Sequence, residues 1–140
     1  MSGLIVLLSC GKKKQNRECP ASEMYTSSLF RKSLQLARRL TDDRHIYILS
    51  AKYGLLPLRE RIRPYEMCLN TFTEREREAW GDMVYQSCQE AGIRQQDRIV
   101  CLAGGKYSQT LKRYFPDMET PMEGMGLGHR MHWMNEQLKG

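Results

Sequence analysis

Reactive side chains follow two apolar segments of this chain, at the point where each segment ends. The first segment, Leu4 to Leu8, leads into Ser9-Cys10-Gly11-Lys12-Lys13-Lys14. The second, His45 to Leu49, leads into Ser50-Ala51-Lys52-Tyr53-Gly54-Leu55-Leu56. Apolar, β-branched and aromatic runs of this length predict buried strands, and open α/β sheets bind ligands beyond the carboxyl ends of their strands. The two loops therefore predict one shared site for an anion.

The first loop combines a thiol with a cluster of positive charge. Gly11 lets the backbone approach a ligand closely, and Lys12 and Lys14 supply cations beside the strand end. Cys10 would act as a nucleophile if the neighbouring charge favoured its thiolate, which is the reactive form. Alternatively, Cys10 packs as a small apolar side chain and the lysines belong to a solvated turn. The loop lacks the residue order of a Walker nucleotide-binding loop, so that class is excluded.

The second loop adds groups that recognise nucleotides. Lys52 can pair with a phosphate or a carboxylate, and Tyr53 or Tyr65 can stack on a nucleobase, which contributes about 1–3 kcal/mol per base. Glu66 is a candidate general acid or base, or a stabiliser of an oxocarbenium-like sugar cation. The alternative for Glu66 is an ion pair with an arginine of the same loop: Arg59, Arg61 or Arg63.

Two glycine-rich stretches later in the chain are further candidates. Gly104-Gly105-Lys106-Tyr107 follows an apolar run and opens a predicted helix, whose first amide groups would accept an anion. The stretch from Pro121 to Gly128 includes Glu123 and has glycines at alternate positions near its end. That spacing differs from the dinucleotide-binding fingerprint, so it predicts a tight turn into the last helix.

Strands alternate with helices along the chain. Strands are predicted at 4–9, 45–49 and 99–103, with a short fourth strand at 121–125. Helical spacing predicts helices from Ser27 or Ser28 to about Leu40, from near Glu74 to a stop at Gly92, and at 107–115. A last helix would place Leu127, Met131, Met134 and Leu138 on one face. The alternation predicts a single α/β domain, 1–140, with a mostly parallel four-stranded sheet covered on both faces.

Charge and cysteine content narrow the classes of function. Lys and Arg number 22 against 16 Asp and Glu, a net charge of +6 that favours phosphate-bearing partners. The five cysteines form no Cys-x-x-Cys pair, which excludes a disulfide framework and the usual zinc spacings. We therefore expect no metal and no cofactor. The N-terminal apolar run is too short for a signal peptide or a membrane span, so we expect a cytoplasmic protein without a membrane partner.

Several motifs, taken in order, resemble those of the bacterial and phage family DUF6884, a family of unknown function. They are Ser9-Cys10-x-Lys12-x-Lys14, Tyr25, Ser50-Ala51-Lys52-Tyr53-Gly54-Leu55, Ile62-x-Pro64-Tyr65-Glu66, Gly104 with Tyr107, and Pro121-x-Glu123-Gly124. Members usually have Asp where this chain has Glu66. The candidate catalytic residues are Glu66, Lys52 and Cys10. The candidate substrate-binding residues are Ser9, Lys12, Lys14, Tyr25, Ser50, Tyr53, Gly54, Tyr65, Gly104, Tyr107 and Glu123.

Through Cys10 and the lysines that follow it, the family is also similar to the catalytic domain of archaeosine synthase. That similarity implies a three-layer α/β/α sandwich of the uracil-DNA-glycosylase-like, Rossmann-like kind, with its site at the strand ends. It also implies a modified or flipped nucleobase as the ligand.

We expect an enzyme directed at a nucleobase or nucleoside, an N-glycosidase or a base-modifying transferase that acts on DNA or tRNA. In this hypothesis Glu66 is the acid or base, and the lysines hold a phosphate or the leaving base. The alternatives are a non-enzymatic module that binds a nucleotide or nucleic acid through its basic loops, and an interaction protein with a degenerate site. The oligomeric state stays open. The enzyme hypothesis predicts that Lys12 or Lys14, Lys52 and Glu66 line one pocket.

Overall fold

The computed structural model describes residues 4–139 of the chain. Its strands are β1 (Ile5–Ser9), β2 (Cys19–Pro20), β3 (Ile46–Ser50), β4 (Gly54–Pro57), β5 (Arg61–Ile62) and β6 (Ile99–Leu102). Its α-helices are α1 (Ala21–Met24), α2 (Ser28–Leu40), α3 (Glu74–Glu90), α4 (Gly105–Lys112) and α5 (Leu127–Leu138). In the part of the chain so described, no helix has the length and apolarity needed to cross a membrane.

Four strands form one sheet in the order β4-β3-β1-β6, and β2 pairs with β5 in a separate two-stranded sheet. The central strand β1 is parallel to both of its neighbours, with Leu8 opposite Ile48 on one side and Leu102 on the other. Because parallel strands end at the same edge, the loops after β1, β3 and β6 leave the sheet side by side. The prediction of a mixed α/β fold with a mostly parallel four-stranded sheet is confirmed.

The fourth strand is not the predicted one. The segment 121–124 is a turn, in which the Glu123 N–H donates to the carbonyl of Thr120. The fourth strand is instead β4, which folds back antiparallel on β3. Gly54 permits this reversal because its φ of +74° lies in the left-handed region that glycine adopts without steric strain.

Alternate residues of β1 face two separate hydrophobic clusters. Val6 and Leu8 belong to a cluster that includes Leu34 of α2 and Met134 of α5. Ile5 and Leu7 belong to a second cluster, which includes Trp80 and Val84 of α3 and Leu111 of α4. Since successive side chains of a strand point to opposite faces, the two clusters lie on opposite faces of the sheet, one with residues of α2 and α5 and the other with residues of α3 and α4.

Helix starts agree closely with the capping residues in the sequence. The Ser27 Oγ accepts a hydrogen bond from the Phe30 N–H at 3.2 Å, which starts α2 where it was predicted. Thr73 and Glu76 form a capping box at the start of α3. Helix α4 ends at Lys112, three residues before its predicted end, and the Tyr114 N–H group then donates to the carbonyl of Leu111 in a tighter, three-residue turn.

Candidate functional site

A cleft of about 500 Å³ opens at the carboxyl edge of the sheet. The loop after β1, from Ser9 to Lys14, forms one part of its wall. The starts of three helices form other parts, through Ser27 of α2's N-cap, Gly104 and Gly105 at α4, and Leu127 of α5. The volume lies within the range of about 300–1,000 Å³ that is usual for small-molecule sites.

Positive charge dominates this cleft. Lys12, Lys13, Lys14 and Arg130 line it, and no Asp or Glu among residues 4–139 does. The helices α2, α4 and α5 all begin at the cleft, and the first N–H groups of a helix carry partial positive charge without intrahelical acceptors. Four cationic side chains and three helix N-termini make the cleft suited to a phosphate or a similar anion.

Two contacts fix the guanidinium of Arg130, a hydrogen bond and packing on the backbone of a glycine. Its Nε donates to the carbonyl of Met125 at 3.0 Å. The guanidinium lies directly over the backbone of Gly104, where a Cβ would overlap its atoms. The φ of Gly104 is −117°, which any residue adopts, so glycine at position 104 provides space for this position of the guanidinium and is not needed for the backbone conformation. This contact seats the guanidinium beside the first amides of α4.

Cys10 and Tyr107 bring a thiol and a phenol together in the cleft wall. Their Sγ and Oη atoms lie 3.3 Å apart, and the ring of Tyr107 packs edge-on against Trp80 with ring centres 5.5 Å apart. Burial, and the nearby Cys10 as a smaller effect, raise the pKa of Tyr107 well above its ordinary value. The phenol therefore stays protonated and is available to donate to the sulfur. Cys10 is half-buried, so its thiol remains accessible from the cleft.

A chain of buried hydroxyl groups lies next to the cleft wall. The Ser50 Oγ accepts from the N–H groups of Lys52 and Tyr53 and donates to the Tyr65 Oη at 2.7 Å. The Oη atoms of Tyr65 and Tyr25 are also 2.7 Å apart. Burial is the main cause that raises the pKa of both phenols, so both are neutral over the physiological range.

This hydroxyl chain fixes the position of Lys14. The Lys14 Nζ lies 4.5 Å from the ring centre of Tyr65 and 5.9 Å from that of Tyr25, within the range of cation–π attraction. Tyr65 is buried, with Lys14 against its ring and Tyr53 edge-on at 5.5 Å between ring centres. Its ring therefore supports a cleft lysine, and the predicted stacking of Tyr65 on a base is not available in this arrangement.

Lys52 and Glu66 do not line the cleft, so the prediction that they share it with the lysines of the first loop is wrong. Lys52 lies in the turn at which β4 reverses on β3, with its Nζ 5.3 Å from the ring centre of Tyr53. Glu66 is exposed, because its neighbour Tyr65 takes the inward position. The alternative ion pair of Glu66 is also not found within residues 4–139, since Arg61 and Arg63 both pair with Glu18 instead.

Two other predicted binding residues have local structural roles. A Cβ on Gly54 would lie 2.8 Å from the Cε of Met83, so this glycine permits both the turn and the approach of α3. Glu123 is exposed in its turn and accepts from the Thr120 Oγ1 at 3.1 Å. Neither residue lines the cleft.

The sequence reasoning missed several cleft residues, chiefly Arg130, Asn70, Met67 and Leu127 as a lining residue. Arg130 could have been found from its place in the first turn of the last helix, which begins after a glycine-rich turn. A cation at that position can reach an anion bound near the start of the helix. The signal for Met67 and Asn70 was their position directly after the Tyr65 motif.

A family model described as "Family of unknown function (DUF6884)" matches residues 5–136. The match spans the sheet, its covering helices and all the residues that line the cleft. A search of curated proteins finds no match to the chain. The family match therefore identifies relatives without assigning them an activity.

Proposed function

Since this chain belongs to the DUF6884 family, whose function is unknown, we propose a function from the cleft itself: an enzyme directed at the nucleobase or nucleoside part of a phosphate-bearing ligand. The ligand is a nucleotide or a segment of DNA or tRNA. The observation that carries this proposal is the position of the Cys10 thiol, 3.3 Å from the Tyr107 hydroxyl, in a cleft lined by four cationic side chains.

The charge pattern favours phosphate over a carboxylate or metal ligand. Arginine and lysine side chains form short, charge-assisted hydrogen bonds with phosphate oxygens, and helix N-termini add backbone donors. A cleft of about 500 Å³ has room for the sugar and base as well as the phosphate. The net charge of +6 acts in the same direction by attracting polyanions over a longer range.

We place the chemistry on Cys10 and not on Glu66 or Lys52. The Cys10 thiol lies in the cleft beside a neutral phenol, whereas the two other candidates lie outside the lining. In N-glycoside cleavage, the Cys10 sulfur would bond to the anomeric carbon of the sugar as its C–N bond breaks, and the base would leave with the electron pair and take up the thiol proton; hydrolysis of the C–S bond by water would then release the sugar and restore the thiol. The reaction classes that fit are base-modifying transfer and N-glycoside cleavage. All five cysteines are free, which fits a reducing compartment such as the cytoplasm.

The finer fold relationship is part of this proposal. A parallel sheet with helices on both faces and a cleft at its carboxyl edge supports a three-layer α/β/α sandwich of the uracil-DNA-glycosylase-like kind. The position of Cys10 and its following lysines in the cleft supports the similarity to archaeosine synthase. Enzymes of this kind reach a base by taking it out of the stack, and an open cleft beside phosphate-binding groups is accessible to such a base.

The test is the binding of nucleoside monophosphates and of a short single-stranded DNA, measured by calorimetry at fixed salt. Replacement Arg130→Gln removes charge-assisted hydrogen bonds of roughly 1.5–3 kcal/mol, so affinity should fall by about 10- to 100-fold. The matched control is Arg59→Gln, because Arg59 is exposed and lies outside the cleft lining. Equal binding by the wild type and Arg130→Gln would show that the cleft does not hold the anion.

A binding module without catalysis is the second candidate, favoured by the absence of a carboxylate from the described cleft lining. Mass spectrometry of nucleosides and bases after incubation of the wild type with DNA and tRNA separates the two. A released or altered base supports the enzyme. Salt-sensitive binding with no product after long incubation supports the module, because such binding is driven by counterion release.

A further inference from the structure

Two strongly exposed apolar side chains lie at the cleft. Four large hydrophobic residues of the described chain are exposed: Leu40, Met67, Met83 and Leu127. Two of them, Met67 at 43% and Leu127 at 67% exposure, line the cleft from different segments of the fold. Leu29, half-buried at the start of α2, lines the same cleft. The cleft therefore has an apolar part in addition to its cationic part.

We propose that Met67 and Leu127 are the residues that hold the planar base of the ligand, and that the cleft's ligand is a nucleotide bound by base and phosphate together. This inference rests on the proposed function and adds the residues that select the base. Flexible aliphatic and thioether side chains pack on any flat ring, and methionine adapts to irregular shapes more readily than other apolar residues. The base would bury apolar surface that the protein alone leaves in water.

The spacing on α5 relates the two parts of the cleft. Leu127 and Arg130 are separated by three residues on one helix, so they lie on the same side and about 4.5 Å apart along its axis. A ligand that contacts both carries an anionic group within a few ångströms of an apolar group. A nucleoside monophosphate has this arrangement, whereas free phosphate and a purely apolar molecule do not.

Asn70 completes the site on the opposite segment. It lies three residues after Met67, lines the cleft and is exposed, so its amide is free to offer both a donor and an acceptor. A side-chain amide of this kind reads the hydrogen-bonding edge of a base. Met67 and Leu127 take the role of contacting the base that the sequence predicted for Tyr53 and Tyr65, because Tyr65 is buried and neither tyrosine lines the cleft.

The experiment compares two probes, nucleoside monophosphates and inorganic pyrophosphate, on Met67→Ala, Leu127→Ala and Arg130→Gln. Each apolar truncation should weaken nucleotide binding about tenfold, the equivalent of burying part of one such side chain, and leave pyrophosphate binding unchanged. Arg130→Gln should weaken both probes. Leu40→Ala is the matched control, since Leu40 has the same 43% exposure as Met67 and lies outside the cleft.

Each outcome bears on a different claim. Wild-type nucleotide affinity in Met67→Ala and Leu127→Ala, with loss in Arg130→Gln, would overturn the base contact and leave the proposed function standing. Equal losses for pyrophosphate and nucleotide in the apolar variants would also overturn it, as would a wild type that binds pyrophosphate but no nucleotide. Binding of both probes unaffected by Arg130→Gln would instead refute the proposed function. Unchanged thermal unfolding of the apolar variants serves as the folding check, because the truncated side chains are exposed.

Discussion

Lys14 shows how a single side chain in the cleft depends on groups that never meet the ligand. Its ammonium lies 4.5 Å from the ring centre of Tyr65, and Tyr65 is fixed by hydroxyl contacts to Ser50 and Tyr25. Ser50 in turn is fixed by the N–H groups of the turn after β3. The ammonium of Lys14 thus packs on a ring of the second loop, although the second loop supplies no cation to the cleft lining.

Removal of the Tyr65 hydroxyl, at the centre of the hydroxyl chain, should lower the stability of the protein and have little effect on anion binding in the cleft. Tyr65→Phe keeps the ring under Lys14 but leaves the buried Ser50 hydroxyl and the Tyr25 hydroxyl without their shared partner. We expect the free energy of unfolding to fall by about 1–3 kcal/mol in urea titrations. Anion affinity should change far less than in Arg130→Gln.

The control for this variant is Tyr53→Phe, because Tyr53 is only half-buried and does not belong to the hydroxyl chain. Its free energy of unfolding should stay within about 0.5 kcal/mol of the wild type. A Tyr65→Phe protein as stable as the wild type would mean that the hydroxyl chain is not a stabilising unit.

Among the single residues of the site, the sequence correctly predicts those that follow β1 and fails for Lys52 and Glu66, which follow β3. Cys10, Lys12 and Lys14 follow β1 immediately, and the structure brings them to the cleft. Lys52 lies in the turn where β4 folds back on β3, and Glu66 is exposed beside the buried Tyr65, so neither of them lines the cleft. Whether a loop continues outward or folds back depends on long-range pairing, which spacing alone does not contain.

Among the secondary-structure elements, those fixed by local contacts are predicted from the sequence, and those fixed by long-range pairing are not. The start of α3 is fixed by Thr73 and Glu76, whose reciprocal hydrogen bonds measure 2.8 and 3.1 Å, and the sequence alone predicts this start. The strand β4 is an edge strand that ends in Pro57. Proline is tolerated at a sheet edge but reads as a loop signal in the sequence, so the strand was missed and the segment 121–125 was predicted in its place.

The capping box formed by Thr73 and Glu76 should contribute measurably to the free energy of unfolding. Thr73→Ala removes the acceptor of the Glu76 N–H, and we expect a loss of about 1 kcal/mol in the free energy of unfolding. The comparison variant is Gln86→Ala, an exposed position within α3, where alanine should be neutral or slightly stabilising. Equal stability of Thr73→Ala and the wild type would show that α3 is held by packing alone.

For the molecule as a whole, buried ionisable groups set the response to alkaline pH. Burial raises the pKa of Cys88 and of Cys101 from 9.0 to about 12. The unfolded chain therefore releases these protons at lower pH than the folded chain does. Tyr25, Tyr65 and Tyr107 shift in the same direction from an ordinary value of 10.0.

We expect full stability from these groups below pH 9 and a progressive loss between pH 9 and 12, because only the unfolded state ionises in that window. Each thiol contributes up to about 1.4 kcal/mol per pH unit there. Urea unfolding midpoints between pH 7 and 11 measure the slope. In Cys101→Ala, any cavity effect appears as a constant offset at pH 7, while the slope above pH 9 should become shallower. An unchanged slope would contradict the assignment to Cys101.

The overall class was within reach of the sequence because alternating strands and helices impose a parallel sheet. The concentration of positive charge in one cleft could not be predicted from the sequence. Arg130 reaches the cleft because α5 packs with α2 on one face of the sheet, through Met134 and Leu34 in the same hydrophobic cluster. A basic net charge is a property of composition, whereas a basic cleft is a property of the packing of distant helices.

The contact between Gly104 and Arg130 has a consequence for how this site varies among related proteins. Any side chain at position 104 would overlap the guanidinium in its present position, so the Arg130 side chain would have to leave its place beside the start of α4. We therefore expect them to covary: relatives that keep arginine at 130 should keep glycine at 104, and relatives with a larger residue at 104 should have a shorter residue at 130. A lineage that loses the pair together would have exchanged its anion ligand for another, which makes these two columns of an alignment a marker of substrate divergence within the family.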